Sequence, residues 1–308
     1  MLRRVARFAA GLAALMLATF AMIHLIPGDP VRAALGPAAP AELVATRTAA
    51  LGLDKPLPEQ FATYLKGVVS GDFGTSFLTG EPVGQIIADR LPNTLTLAVL
   101  ATLAALLVAV PLGLWAAIRT ENGRHRGTEI GFTSGTGAAV AVPEFLYSIA
   151  LVVVFAITLG WFPPAGKEGP LSYVLPVAAL AIGPAALVAR LVRVETMREL
   201  GMDYVRLARA KRLPAAMVNL RHVLPNALTA TLTTGGLLLG GLIAGSVLVE
   251  YVFAWPGLGM RMTEAITQKD FPVAQGVILV YGAIVLIVNL AVDLLLGLLD
   301  PKSTLKES

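Results

Sequence analysis

Six uninterrupted apolar runs, at about 8–26, 94–118, 132–159, 171–189, 227–252 and 276–299, constrain this chain more than any other feature. Each is close to or beyond the roughly 20 residues that a helix needs to cross about 30 Å of hydrocarbon. In lipid, every backbone N–H and C=O must be bonded within the protein, so only helices or a closed barrel can span. Barrel strands would alternate apolar and polar residues over segments of about 10. Unbroken runs therefore predict an all-α membrane protein with about six transmembrane helices. The 308 residues are 14% charged, well below the roughly 25% of a soluble domain.

Charge sets the expected orientation. Taken on alternate sides of the six runs, one set of segments holds 16 Lys and Arg and the other holds 8. Cations accumulate on the cytoplasmic side, which puts both termini inside. The start has the basic lead Arg3, Arg4 and Arg7 of a signal peptide, but the apolar stretch ends in HLIPGDP without a small-x-small cleavage site. It is expected to stay as a first helix. The chain then divides into a helix at 1–26, an external loop region at 27–93, a core of five transmembrane helices at 94–299, and a cytoplasmic tail at 300–308. Within the external region, "LGLDKPLPEQFATYL" has Pro56 and Pro58 where a helix could begin, then Phe61, Tyr64, Leu65 and Val68 at helical spacing. A small amphipathic helix on the outer face is expected, with turns at Gly28-Asp29 and Gly71-Asp72.

Inside the runs, Gly236 with Gly240 and Gly241 with Gly245 form small-xxx-small pairs suited to close helix packing. Two acids, Glu144 and Asp293, also lie there, where a carboxylate is costly without a partner or a cavity. Asp293 is expected to snorkel or to meet a cytoplasmic Arg. Glu144, nearer mid-span, either lines a polar path or bonds a neighbouring helix. Trp255, Pro256, Gly257 and Gly259 form a turn with one large ring at the membrane surface, as an anchor or a gate contact.

Several chemistries lack their residues. No cysteine is present, and His24, His125 and His222 lie far apart without a ligand spacing, which argues against a disulfide framework or a metal site. No G-x-x-x-x-G-K-[ST] loop is present to cradle ATP phosphates. An intramembrane protease would need more than Ser134 in "GFTSGTG". A secondary transporter would need an ion site built on broken helices in repeated halves, and Pro176 and Pro184 have no matching half. Tyr204 alone is too little aromatic surface for nucleic acid.

"DYVRLARAKRLPAAMVNLRHVLPNAL" is a cationic stretch between two apolar runs. It predicts a helix over 203–213, with Asp203 at its start and Pro214 ending it. Tyr204, Leu207, Ala208 and Lys211 would share one face, and Arg206, Arg209 and Arg212 another. A second short helix at 215–222 would follow before Pro225 and Asn226 open the fifth span. Positive-inside bias accounts for the charge but not for the apolar face or the internal proline. A two-helix knob that docks a cytoplasmic partner accounts for all three.

The stretch "ARLVRVETMRELGMDYVRLARAKRLPAAMVNLRHVLPNAL" resembles the signature loop of inner-membrane permeases of binding-protein-dependent ABC importers, in the first-permease (B-type) subunit of the peptide and nickel branch. The likeness extends in order through "MIHLIPGDP", "LGLDKPLPEQFATYL", "GDFGTSF", "PVGQIIADRLPNTLTLAVL", "VLVEYVFAWPGLGMRMTEAITQKDFPVAQGVIL" and "VNLAVDLLLGLLDP". It implies a type I ABC importer permease fold in a prokaryotic plasma (inner) membrane. It also implies a second, similar permease, two cytoplasmic ABC ATPases that bind the ATP and Mg, and an external substrate-binding protein, with no cofactor and no enzymatic site in this chain. The implied cargo is dipeptides or oligopeptides; nickel chelates, glutathione or another small peptidic ligand are the alternative. The coupling positions carried over are Asp203, Tyr204, Arg206, Leu207, Ala208, Arg209, Ala210, Lys211, Arg212 and Leu213, and Glu144, Trp255, Pro256 and Gly257 are candidates for the path or gate. The family usually has glycine where this chain has Arg212, and arginine disfavours the positive φ that glycine accepts. Arg212→Gly is expected to preserve transport, whereas reversing the charge at Arg209 uncouples it, as read from substrate moved per ATP hydrolysed in reconstituted vesicles. The opposite pattern would misplace the coupling segment.

Overall fold

The computed structural model describes residues 2–25, 29–36, 38–50 and 52–299, with side chains apart from 2, 3, 50, 229, 230, 232–239, 293 and 295–299. The expectations for Gly28, for the packing of Gly236, for the Asp293 side chain and for the 300–308 tail lie outside the described residues.

Helix α1 (Leu2–Leu25) carries the first apolar run. On the outer side, Asp29 caps α2 (Pro30–Leu35), its Oδ1 accepting from the Val31 and Arg32 N–H groups at 2.9 and 3.2 Å. Helices α3 (Ala41–Ala50) and α4 (Leu57–Ser70) follow. The expected amphipathic helix is α4, and it lies against α1. Phe20 meets Phe61 at 5.0 Å and Tyr64 at 5.7 Å between ring centroids, and the Tyr64 and Thr19 hydroxyls share a hydrogen bond of 2.8 Å.

Helix α5 (Val83–Thr120) has 38 residues and passes both Pro92 and Pro111. It begins eleven residues before the second apolar run, inside the segment assigned to the external region. Its first turns pack on protein rather than lipid: Val83, Ile86 and Ile87 join one buried cluster with Leu258, Val273, Ala274 and Val277. Only one stripe needs to be apolar there, so a hydropathy run does not register it.

After a 3₁₀ turn at Glu121–Gly123, α6 (Arg126–Ala141) and α7 (Glu144–Leu151) meet at a 96° bend, and a π turn at Val152–Thr158 prolongs α7. This corrects the expectation of a single unbroken third span. Pro143 disfavours a helical residue before it, and Val142 is extended at φ −82°, ψ 125°. Helix α8 (Val174–Leu200) outruns its apolar stretch at its C-terminal end. Next come α9 (Asp203–Ala210) and the short α10 (Ala215–Met217), which passes through a π turn at Val218–Val223 into α11 (Leu224–Val252). The second short helix and the fifth span therefore form one continuous path, a second departure from expectation. The wide π turn carries the helix past Pro225 without a break. Helices α12 (Leu258–Thr267) and α13 (Phe271–Leu299) complete the chain.

Helices α1, α5, α8 and α13 are each long and apolar enough to span, and the bent α6–α7 pair passes as one span. The fifth run falls on α11, a 29-residue helix of about 44 Å. The tightest contact is between α5 and α8. A Cβ placed on Gly113 would sit 2.5 Å from the Ala189 carbonyl oxygen and 2.7 Å from Val192 Cβ. Around it, Ala109, Ala116, Phe132, Val188 and Val192 are buried together. The described glycines of the small-xxx-small pairs pack singly instead of as one face. Gly240 faces Asn289 and Gly245 faces Glu144, while nothing lies within 4 Å of a Cβ on Gly241. Gly113→Val is expected to destabilise the purified permease by about 1–3 kcal/mol, the usual cost of overpacking, measured by thermal inactivation in detergent. Wild-type stability would mean that this crossing can relax.

Candidate functional site

The knob expected at 203–226 is built on the C-terminal end of α8 and the N-terminal end of α11. Leu200, Val205, Ala208, Val218 and Val223 form a small core, and Leu213 folds onto it. The buried stripe of α9 is therefore Val205 with Ala208. The face expected from Tyr204, Leu207, Ala208 and Lys211 is not the one that packs, because the three-residue step from Val205 to Ala208 meets the α8 end and the π turn. Leu207 is 58% exposed. Asp203 is the first residue of the helix rather than its cap, and it accepts from Arg206 at 3.3 Å. There its charge favours the positive end of the helix dipole.

The helix ends at Ala210, three residues before the expected Leu213. Arg212 takes φ +54°, and the Leu213 N–H reaches back to the Ala208 carbonyl at 3.3 Å. This is the left-handed closure that usually employs glycine. Arginine adopts it here despite its Cβ, so the turn that the resemblance implies is present.

Two side chains fasten α9 to its neighbours. The Tyr204 hydroxyl donates to Glu199 and accepts from Asn226 Nδ2 at 3.0 Å. Burial, and then the hydrogen bond to Glu199, hold its phenol above the usual range, which keeps it a donor. Arg209 grips Glu121 with both guanidinium nitrogens, at 2.9 and 3.2 Å. What remains exposed is mixed: Arg206, Leu207, Ala210, Lys211 and Arg212, with Met217 and Leu220 beside them.

In the turn between α11 and α12, Trp255 departs from the expected surface position and is fully buried. Its ring meets Tyr173 edge-on at 4.6 Å, and its indole N–H donates to the Asn93 carbonyl at 3.3 Å. The Pro256 carbonyl accepts from Asn93 Nδ2 at 2.8 Å, and the Leu258 N–H donates to Thr94 Oγ1 at 2.9 Å. The ring is drawn inward because α5 presents this set of polar partners at depth.

Glu250, which the sequence reading did not single out, organises the same turn. It is fully buried at the end of α11 and accepts from the Gly259 and Met260 N–H groups at 2.7 and 3.3 Å and from Ser246 Oγ at 3.1 Å. It thereby satisfies N–H groups that the first turn of α12 would leave unpaired. A Cβ on Gly257 would lie 2.3 Å from its Oε2, and one on Gly259 would lie 2.6 Å from Val247 Cα. Both glycines in "WPGLG" thus admit close approach. An acid four residues after Ser246 in an otherwise apolar run was the available signal, since such a group has to find donors.

A second buried acid, Asp270, accepts from Ser76 Oγ at 2.6 Å and from the Phe77 N–H at 2.9 Å, with Arg261 at 3.5 Å. It joins "GDFGTSF" to the α12–α13 turn. Glu144 starts α7 at the bend, half-buried and against Gly245 of α11, where a Cβ would lie 2.7 Å from its Oε2. It is far in sequence from the Trp255–Gly257 turn, and it packs on Gly245 of α11 rather than on that turn. Among the described residues no three His, Cys, Asp or Glu side chains gather as a metal site.

Residues 109–304 match the family described as the binding-protein-dependent transport system inner membrane component, and residues 1–98 match the N-terminal membrane component of such systems. The chain is 36% identical over 282 residues to the glutathione transport system permease protein GsiC of Salmonella choleraesuis, covering 92% of this chain and 91% of the relative. GsiC of Pectobacterium atrosepticum is 37% identical over 286 residues, covering 93% and 92%. The fold is also that of the MetNI methionine ABC transporter in an inward-facing conformation, at TM-score 0.55 and 17% identity over 70% of this chain and 97% of that one. Glu250→Ala would leave two buried N–H groups unpaired and is expected to cost about 3 kcal/mol, with Glu250→Gln losing less because it keeps an acceptor. Thermal inactivation ranks the two, and equal losses would assign the effect to charge alone.

Proposed function

Because the chain belongs to the family of binding-protein-dependent transport inner-membrane components, as a multi-pass permease of an ABC importer, we propose that its cargo is a small peptidic ligand. Dipeptides, oligopeptides and glutathione share a peptide backbone and charged ends, and the relatives that match along nearly the whole chain are named for glutathione transport. That whole-length likeness carries the reading. The importer works with cytoplasmic ATPases and an external binding protein. On our reading this chain pairs with a second, similar permease as a heterodimer, the ATPases hold the ATP and Mg, and both termini are cytoplasmic, as the cation count favours.

The 203–213 segment, centred on Ala208, Arg209 and Ala210, is on this reading the contact with an ATPase. Its exposed Leu207 can enter an apolar cleft, with the cations of Arg206 and Lys211 beside it for an acidic rim. Val205 and Ala208 share a packed core with α8 and α11, so a displacement of α9 carries those helices with it. Packed cores shift between discrete arrangements instead of deforming gradually. The outer turn at Trp255, Pro256 and Gly257 closes the far side, and Glu144 lies at the sharp bend between α6 and α7, where it can face the path. Nucleotide binding would then bias an inward–outward equilibrium from a distance.

The test is ATP-driven uptake into vesicles that contain the complete importer, with labelled glutathione and labelled dipeptides offered separately and in competition. Saturable uptake of at least one of them, dependent on the binding protein, is expected. Leu207→Glu, which places a charge on the docking face, is expected to cut that uptake by more than about tenfold while leaving the purified permease folded. Uptake of a non-peptidic ligand with no competition from either peptide would overturn the cargo.

A further inference from the structure

Helix α5 is gripped at two widely separated levels by the two segments just described. At its inner end, Glu121 takes the bidentate grip of Arg209 at 2.9 and 3.2 Å. The adjacent Thr120 is buried and accepts from Arg193 at 3.1 Å, while Arg193 also pairs with Glu129 of α6 at 2.9 Å. Consecutive residues at the end of one helix thus receive an arginine from α9 and another from α8. Nearly three turns in from the Val83 end, Asn93 and Thr94, also consecutive, hold the Trp255 indole, the Pro256 carbonyl and the Leu258 N–H.

Residues 94–120 make about 40 Å of helix, so the two grips lie on opposite sides of the membrane. Between them the helix cannot slide freely along α8, because the Gly113 crossing leaves no room even for a methyl group. A push on Glu121 is therefore not absorbed locally. The outer turn has a second support, since α11 continues from the knob as helix and ends in Glu250, the acceptor for Gly259 and Met260. The turn is held from two sides, by α11 through the chain and by α5 through side chains alone.

We propose that the Arg209–Glu121 pair makes α5 the second arm of the relay, so that α9 moves α5 together with α8 and α11, and the outer turn opens when both arms shift. Arg209 is then a positioning residue that acts within this chain. The inference rests on the coupling reading of the 203–213 segment. The two side chains are 45% and 25% exposed, and an ion pair so placed contributes little to stability. Breaking it should leave a folded permease with altered coupling.

Two readouts decide the matter in the complete importer. The first is substrate moved per ATP hydrolysed for Glu121→Arg, Arg209→Glu and the double charge swap. Each single change is expected to lower the ratio by roughly fivefold or more, in the range of ordinary allosteric couplings, and the swap to restore most of it. Asn93→Ala, at the other grip on α5, is expected to lower the ratio as well. A swap as poor as Arg209→Glu alone would place Arg209 on the ATPase instead, and an unchanged ratio in Glu121→Arg would remove the relay. The second readout needs no cargo. The chain has no cysteine, so labels at Asp89→Cys on α5 and Thr63→Cys on α4 report a single distance. That distance should change when nucleotide binds, stay fixed in Glu121→Arg, and change again in the swap. No change in the parent labelled protein would overturn the proposal, and it would do so even if the peptide cargo proved wrong, since no ligand enters this measurement.

Discussion

The carboxylate of Glu250 stands where water would otherwise be needed. A helix that starts inside a membrane protein leaves its first N–H groups without acceptors, and nothing in hydrocarbon can supply them. Glu250 and Thr94 receive the N–H groups of Leu258, Gly259 and Met260, and α12 can begin there. Much of the outer assembly follows from that contact. Gly257 and Gly259 have to lack side chains to let the carboxylate in, and Trp255 is turned inward onto Tyr173 as the chain folds over. The Asp270 cluster repeats the arrangement between the 71–82 turn and α13. Two buried acids thus hold the outer face as a set of intramolecular hydrogen bonds.

Three helices close in the same way without glycine. Arg212, Ala254 and Lys269 all take positive φ, and the residue after each donates back five positions, to Ala208, Glu250 and Ala265. An L-residue in the left-handed region costs about 1–2 kcal/mol, so each closure has to be held by what surrounds it. Leu213 is pulled down by the knob core, Trp255 by Tyr173 and Asn93, and Asp270 by Ser76 and Phe77. The buried residue that follows each turn supplies the force that bends the chain. At Arg212 this preserves a turn that permeases of this kind usually build with glycine.

The inner and outer faces are dissimilar in chemistry. The outer turn is dry and closed by buried acceptors, whereas the knob combines a small apolar core with exposed cations. Ion pairs near water are weak and can be exchanged, and buried hydrogen bonds to carboxylates are costly to break. The ATPase contact that we propose for the knob, which has to form and release, belongs on the first kind of surface. A seal that holds between cycles belongs on the second.

From sequence alone the class of the molecule was legible. Runs of about 20 apolar residues permit only spanning helices, cation bias suggests their orientation, and the cationic stretch with its internal proline stood out as a small helical knob. The amphipathic α4 was equally legible, because Phe61 and Tyr64 recur at helical spacing. These are local signals, decided within one or two turns of chain. The early start of α5, the 96° bend at Pro143, the burial of Trp255 and the role of Glu250 were decided by the tertiary structure. Each depends on partners far away in the chain, such as Asn93 with Trp255, Ser76 with Asp270 or Glu121 with Arg209. Hydrophobic periodicity tells which face of a helix is dry, but a polar group buried there takes its meaning from the donor or acceptor that only folding brings within 3 Å.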